Sequence, residues 1–154
     1  MSSQFLQDIK HILLRDLAVI ADEVRQTDEQ LLWKSLPGIT NPVGTIALHL
    51  CGNIRHFIGN QLGKTGYVRN RDAEFSNHQL TKEQLLAEIL TTIQETDTVL
   101  SSLDERLLES EMPDPPPHHK GRSVAFFLMQ LSCHLSRHTG QMNYLRRMLG
   151  SGRW

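Results

Sequence analysis

The sequence contains only two cysteines, Cys51 and Cys133, and they stand too far apart to form a CxxC pair. Two isolated cysteines cannot build a disulfide framework, so we expect both to be reduced thiols that pack as small apolar side chains. No apolar run approaches the ~20 residues of a membrane-spanning helix. The charged residues Asp8, Lys10 and Arg15 interrupt any signal-peptide core near the N-terminus, and the expected location is therefore the cytoplasm.

An excess of either charge is also missing, because sixteen basic and seventeen acidic side chains leave a formal net charge of −1. Nucleic-acid-binding domains usually carry a strong basic excess, so this balance argues against that class. The 154 residues are 39% apolar and 21% charged, which suits one globular domain over residues 1–154. Eight histidines in a chain of this size are unusual, and their positions are therefore informative.

Apolar residues recur at three- and four-residue intervals in four long segments, which predicts four amphipathic helices. The segments cover about residues 3–25, 41–59, 81–110 and 123–149, and the second fades gradually through residue 66. Residues 28–34 form a short helical piece in the first loop, residues 63–80 a polar loop, and residues 113–117 a proline-rich extended linker. Four helices without a strand pattern predict an all-α four-helix bundle with a short extra helix in its first loop.

Capping residues mark the starts of three of these helices. Asn41 and Pro42 suit the start of the second helix, because Asn accepts a backbone hydrogen bond and Pro fits the first turn. Thr81 and Gln84 form a capping box at the start of the third helix. Ser123 is the expected cap of the fourth helix, which a Gly-Ser-Gly sequence ends.

His134 and His138 lie within the apolar stripe of the fourth predicted helix. Side chains four residues apart project from the same face, so this helix can offer two imidazoles to one metal ion, as in the HExxH arrangement. Burying imidazoles without partners costs about 1–3 kcal/mol for each unsatisfied group. A metal ion would supply the partner, but so would hydrogen bonds to core histidines, and the pattern alone leaves both interpretations open.

A third ligand would have to come from another helix. His49 lies at the flank of the second helix's stripe, and His56, two turns later, is the rival candidate. His118 and His119 stand in the proline-rich linker, where we expect them to be solvated. Asp16 falls within the first helix's stripe and could accept a ligand's ring N–H or face a substrate pocket. The interpretation we favour places Asp16 near a helix bend or edge, where it stays hydrated.

Two segments are similar to motifs of a known family. Residues 41–53, NPVGTIALHLCGN, contain an Asn near the helix start, a His-Leu pair and a later Asn. Residues 134–146, HLSRHTGQMNYLR, contain the pattern HxxxHxGQ followed by an apolar helix end. In this order, and with four helices around them, the sequence resembles the DinB-like superfamily, also called YfiT-like, whose members are considered metal-dependent enzymes.

The resemblance implies an up-down-down-up helix bundle, frequent homodimerisation and a three-histidine site for Zn²⁺, Ni²⁺ or a similar ion. The family's ligand positions match His49, His134 and His138, so the resemblance selects His49 over His56. Residues near these ligands become candidates for supporting them or lining the pocket, namely Asn53, Arg137 and Gln141.

Three neutral imidazoles with an open coordination position suit catalysis, because structural zinc sites are usually closed by four protein ligands. Such an ion can acidify a bound water for hydrolysis or hold a thiol as thiolate. We therefore expect a metal-dependent enzyme acting on a small molecule, either as a hydrolase or, as the resemblance implies, as a transferase of a low-molecular-weight thiol. No Glu or Asp near the histidines stands out as a general base. The alternative is a non-catalytic metal-binding stress-response or small-molecule-binding protein.

Overall fold

The structure, a computed structural model, describes residues 4–150. Within this range the chain is all-helical, and the only β-type pairings are two isolated backbone bridges. The predicted helix start at Ser3 and the predicted helix terminators Ser151 and Gly152 lie outside the described residues. None of the helices in the described range is both long and apolar enough to cross a lipid bilayer.

Four of the helices are long, and each follows one of the predicted segments. Their bounds are Gln4–Gln26 (α1), Val43–Ile54 (α2), Lys82–Ser102 (α4) and Val124–Met148 (α5). A short helix, Arg71–Ser76 (α3), interrupts the segment that the sequence pattern assigned to a polar loop. Single 3₁₀ segments connect these helices at Glu29–Leu31, Glu105–Glu109 and Pro117–His119.

Two of the predicted caps are confirmed and one is wrong. Thr81 and Gln84 form the capping box of α4, and the Ser123 side chain accepts a hydrogen bond from the backbone N–H of Phe126 at the start of α5. In contrast, α2 begins at Val43 with Pro42 in the cap position and no side-chain cap. Asn41 therefore lies one residue before the cap position.

The second and third helices end differently from the prediction. Beyond Ile54 the chain continues as a π-helical segment, Arg55–Leu62, in which the wider turns change the direction of successive side chains. The predicted third helix stops at Ser102 and not near residue 110. Asp104 accepts a hydrogen bond from the backbone N–H of Arg106 and so caps a separate 3₁₀ turn, an example of a side chain that competes with helix continuation.

One apolar core holds the long helices together. The inner face of α1 packs against α4 and α5, while α2 contacts α3, α4 and α5. Leu13, Leu17 and Ile20 of α1 are 0% exposed, and burying each such side chain contributes roughly 1.5–3 kcal/mol. The packing of α2 against α5 is the contact that matters for the site, since the candidate ligands lie on these two helices.

Two expectations about individual polar residues are wrong. Asp16 does not stay hydrated, because it is only 5% exposed on the core side of α1. The guanidinium of the exposed Arg15 donates a hydrogen bond to Asp16 Oδ1 at 2.8 Å and so compensates its charge. Cys51 is buried as expected, but Cys133 is exposed on α5.

Candidate metal centre

The structure brings His49, His134 and His138 together between α2 and α5. Their candidate ligand nitrogens all lie within 4.8 Å of one another. The Nε2 atoms of His49 and His134 are 3.1 Å apart. Two nitrogen ligands of a tetrahedral ion, each at ~2.0–2.1 Å from it, would be about 3.3 Å apart. This spacing fits a divalent ion between the rings.

Helix geometry and helix packing each explain part of this cluster. The rings of His134 and His138 have centroids 4.5 Å apart because the two residues stand one turn apart on α5. His49 meets them from α2, with ring centroids 5.3 Å and 5.4 Å away. Only 12% of the His49 side chain is exposed, so its polar ring needs partners on both nitrogens.

A carboxylate orients the His49 ring. Nδ1 of His49 lies 3.1 Å from Oε2 of Glu74 on α3, which places the ring proton on Nδ1 and leaves Nε2 as a lone-pair donor. Arg69 holds Glu74 in turn, donating from Nε at 2.6 Å and from Nη2 at 2.8 Å. A carboxylate behind a histidine ligand is a common feature of zinc sites, where it fixes the tautomer and raises the basicity of the ligand.

Gln141 supports the second histidine on α5. Its Oε1 lies 2.7 Å from Nδ1 of His138, so Nδ1–H donates to the amide oxygen and Nε2 of His138 carries the free lone pair. Two of the three rings are therefore fixed from behind in the tautomer that a metal ion requires.

The other residues considered as candidates lie in different places. Asn53 is 8% exposed and lines the cavity next to the histidines. Arg137 is exposed and does not line that cavity, and neither does Asp16. His56, the rival third ligand, lies outside the cluster, where its Nε2 is 3.1 Å from Nε2 of Gln61.

Burial keeps the histidines of α5 neutral. Burial, together with the smaller effects of the nearby charges of His138, His49 and Arg137, lowers the pKa of His134 to about 4. Burial also lowers the pKa of His138, although the hydrogen bond to Gln141 raises it in part. For Glu74, burial raises the pKa, but hydrogen bonds from Arg69 and His49 outweigh it and the net shift is downward. A neutral imidazole is the form that binds a metal ion.

We expect the metal-free protein to lose stability as the pH falls from about 6.5 to about 4. Over this range an unfolded histidine, with a pKa near its ordinary value of 6.5, binds a proton that folded His134 does not bind. The free energy of unfolding therefore decreases as the pH is lowered. Urea unfolding of chelator-treated protein at about pH 7, 5.5 and 4.5 measures this slope. His134→Gln should reduce this slope. Identical slopes for the two proteins would contradict the assignment of the pH dependence to His134.

A cavity of about 280 Å³ opens beside the histidine cluster. It is slightly smaller than the ~300–1,000 Å³ of typical ligand pockets. Apolar side chains, a few polar groups and basic side chains form its lining: His49, Asn53, Phe57, Arg69, Arg71, Pro116, His118, His119, Phe127, Gln130, Leu131 and His134.

The proline-rich linker forms part of this cavity, which the sequence pattern did not indicate. The side chain of Gln61 holds the linker through the backbone of Asp114, donating from Nε2 to its C=O at 2.9 Å and accepting its N–H at 3.2 Å. His118 remains exposed, whereas His119 is partly buried and packs against the ring of Phe127. The expectation that both linker histidines are solvated is therefore wrong for His119.

Gly52 leaves the space that the Glu74 carboxylate occupies. A Cβ at this position would stand 2.0 Å from Oε1 of Glu74, so Gly52→Ala should displace the carboxylate from His49. Losing such a support typically weakens metal binding 10–100-fold, and we expect a loss of about that size in Zn²⁺ affinity, measured by competition with a chromophoric chelator.

Gly140→Ala is the matched control for this substitution. Gly140 is also helical, but a Cβ there has no neighbour within 4 Å. This variant should keep the wild-type affinity and gain about 0.5–1 kcal/mol of stability, because Ala loses less backbone entropy than Gly. Equal Zn²⁺ affinities in the Gly52 and Gly140 variants would show that Glu74 does not support His49.

Sequence reasoning missed Glu74 and Arg69, the pair behind His49. Both lie in the segment that was assigned to a loop, and no apolar periodicity marks them. Asn70 accepts a hydrogen bond from the backbone N–H of Ala73 and caps α3, with Asp72 and Glu74 in the first turn. These signals could have predicted the short helix, but nothing local indicates that its carboxylate reaches His49.

Comparison with known proteins gives one family. A search of curated proteins finds no match to this chain. The family described as "Protein of unknown function (DUF1572)" matches residues 1–154, and because this match covers every residue of the sequence, the chain belongs to the DUF1572 family.

Proposed function

We propose that the protein is a metal-dependent enzyme that acts on a small molecule through His49, His134 and His138. The observation that carries the proposal is the convergence of three imidazoles, two of which are oriented from behind by Glu74 and Gln141. This arrangement beside an open cavity is typical of catalytic and not of structural zinc sites. The resemblance to the DinB-like superfamily, with its up-down-down-up bundle, supports the same proposal.

A divalent ion at this site would supply Lewis-acid chemistry, which makes a bound water or thiol acidic near neutral pH. Zn²⁺ and Ni²⁺ are both suitable, because imidazole binds either. The reaction classes that follow are hydrolysis and transfer of a low-molecular-weight thiol.

The residues of the chain have separate roles in this proposal. Glu74 orients His49 and does not act as a general base, since Arg69 binds both of its oxygens and its pKa is lowered. Phe57 and Phe127, whose ring centroids are 4.7 Å apart, give the cavity an apolar wall. Such a wall holds the carbon part of a substrate and excludes water from it.

Turnover by metal-loaded protein tests the proposal. We expect Zn²⁺- or Ni²⁺-loaded wild type to convert at least one member of a panel of esters, amides, epoxides and thiol acceptors offered with a low-molecular-weight thiol. His138→Ala, prepared in the same way, should show no turnover above background. A metal-loaded wild type that is inactive on the whole panel would favour the alternative, a non-catalytic metal-binding stress-response or small-molecule-binding protein.

The resemblance also implies a homodimer, which we propose on that basis. Tyr144 and Met148 at the end of α5 are 67% and 61% exposed, and such large apolar side chains are suited to a contact between subunits. Light scattering of the purified protein measures the oligomeric state directly.

A further inference from the structure

The lining of the cavity beside the histidines is basic. Among the described residues that form it are two arginines and four histidines, and there is no Asp or Glu. One of the arginines, Arg69, is already neutralised by Glu74. A cleft with charge of one sign and apolar walls concentrates ligands of the opposite sign, so the remaining cation decides which ligand the cavity prefers.

That cation is Arg71. Its guanidinium carbon lies 5.1 Å from the centroid of the Phe75 ring, and the Phe75 ring lies 5.2 Å from the His49 ring. Arg71 is thus separated from the histidine cluster by a single aromatic ring. It forms no ion pair with any residue in 4–150, and a planar guanidinium is well suited to bind a carboxylate or phosphate through two hydrogen bonds.

Besides the cation Arg71, the cavity wall contains an uncharged polar side chain, Asn53. It lines the same cavity, it is only 8% exposed, and its Oδ1 is buried without a hydrogen-bond partner among the described residues. Buried polar atoms are rarely left unsatisfied in folded proteins. The unpartnered Oδ1 is an acceptor, so a bound molecule that carries an N–H or O–H group would satisfy it once the side chain turns toward the cavity.

We infer that the cavity binds a small anionic molecule, in which a carboxylate or phosphate group is joined to an apolar body. Arg71 binds the anionic group, Phe57 and Phe127 contact the apolar body, and Asn53 Oδ1 accepts a hydrogen bond from an N–H or O–H group on it. The inference rests on the proposed function only for the reacting end of this molecule, which lies at the histidines. The anion site itself consists of side chains and does not require the ion.

Calorimetric titration with paired probes tests the inference. The probes are 3-phenylpropionate, its uncharged analogue 3-phenylpropionamide and phenyl phosphate, each titrated into chelator-treated and Zn²⁺-loaded protein. We expect at least one anion to bind chelator-treated wild type about tenfold or more tightly than the amide, because the guanidinium can donate two hydrogen bonds to a charged group. Whichever anion binds more tightly identifies the carboxylate or the phosphate as the preferred group.

Substitutions of Arg71 show whether the preference comes from this residue. Arg71→Gln should reduce the affinity for the anion to that for the amide, and Arg71→Lys should restore part of the difference. Arg147→Gln is the control, because it removes the same charge and the same kind of ring contact, with Tyr144, outside the cavity. The exposed position of Arg71 means that these variants should fold as wild type does.

Two results would overturn the inference. One is equal affinity of the anions and the amide for wild type in both preparations. The other is an anion preference that persists in Arg71→Gln and disappears on chelation, which would place the anion on the metal ion alone. Metal content is measured on the same samples, so a protein without an ion and with an Arg71-dependent preference would contradict the proposed function but support the anion site.

Discussion

Tag-free protein should contain one divalent ion per chain, and His49→Ala and His138→Ala should each abolish the binding of that ion. Each substitution removes one of three nitrogens that lie within 4.8 Å of one another, and the two imidazoles that remain do not hold an ion tightly. Elemental mass spectrometry of the purified proteins measures the content. His11→Ala, which removes an exposed histidine of α1, is the control and should retain the ion.

Thermal unfolding provides a second measure of the same site. An ion that binds only the folded state stabilises it by about 2.7 kcal/mol when its free concentration is 100 times the dissociation constant. We therefore expect added Zn²⁺ to raise the melting temperature of wild type and of His11→Ala but not of His49→Ala. No ion in wild type after incubation with Zn²⁺ and Ni²⁺, together with an unchanged melting temperature, would remove the basis for the proposed enzyme.

Removing either member of the Glu23–Arg146 pair should strongly destabilise the protein. The guanidinium Nε of Arg146 on α5 donates to Oε2 of Glu23 on α1, and the two side chains are only 5% and 7% exposed. Asn143 Nδ2 donates to the other carboxylate oxygen at 2.9 Å. Loss of one partner leaves a buried charge, so Glu23→Ala or Arg146→Ala should each cost about 3–5 kcal/mol, measured by urea unfolding at neutral pH.

A double variant separates the cost of leaving an unpaired charge buried from the stability that the ion pair itself contributes. Replacing both residues by apolar ones, as in Glu23→Leu with Arg146→Met, leaves no buried charge and should cost less than either single substitution. Arg25→Ala, which breaks an exposed pair with Asp22 on the same helix, should change the free energy of unfolding by only about 0–1 kcal/mol. Single variants as stable as Arg25→Ala would show that the pair is not buried in solution.

Much of the fold follows from local rules that operate within one segment. A 3.6-residue apolar period and the caps Thr81 and Ser123 are sufficient to place the long helices, because both depend on neighbours a few residues away. The same rule makes His134 and His138 face one way. Local signals mislead at two helix ends: Asn41 does not cap α2, and Asp104 begins a separate turn after α4. Each difference moves a helix end and does not change the fold class.

The resemblance identified His49, but the helical pattern alone could not choose it over His56. The structure makes the choice by packing α2 against α5, which places His49 3.1 Å from His134. His56 falls in the π-helical segment, where turning per residue differs from that of an α-helix. A helical wheel drawn with a constant angle cannot describe the direction of a side chain in such a segment.

The sequence by itself determined the helices, the paired histidines of α5 and, through resemblance, the third histidine. Only the tertiary structure decided what surrounds them: the Arg69–Glu74 pair behind His49, the linker held by Gln61, and the basic cavity that includes Arg71. These residues lie in short or irregular segments, where no apolar periodicity fixes the direction of a side chain. His49 lies 20 and 25 positions from Arg69 and Glu74, and Asp114 lies 53 positions from Gln61, so these contacts depend on how the whole chain packs and not on any local pattern.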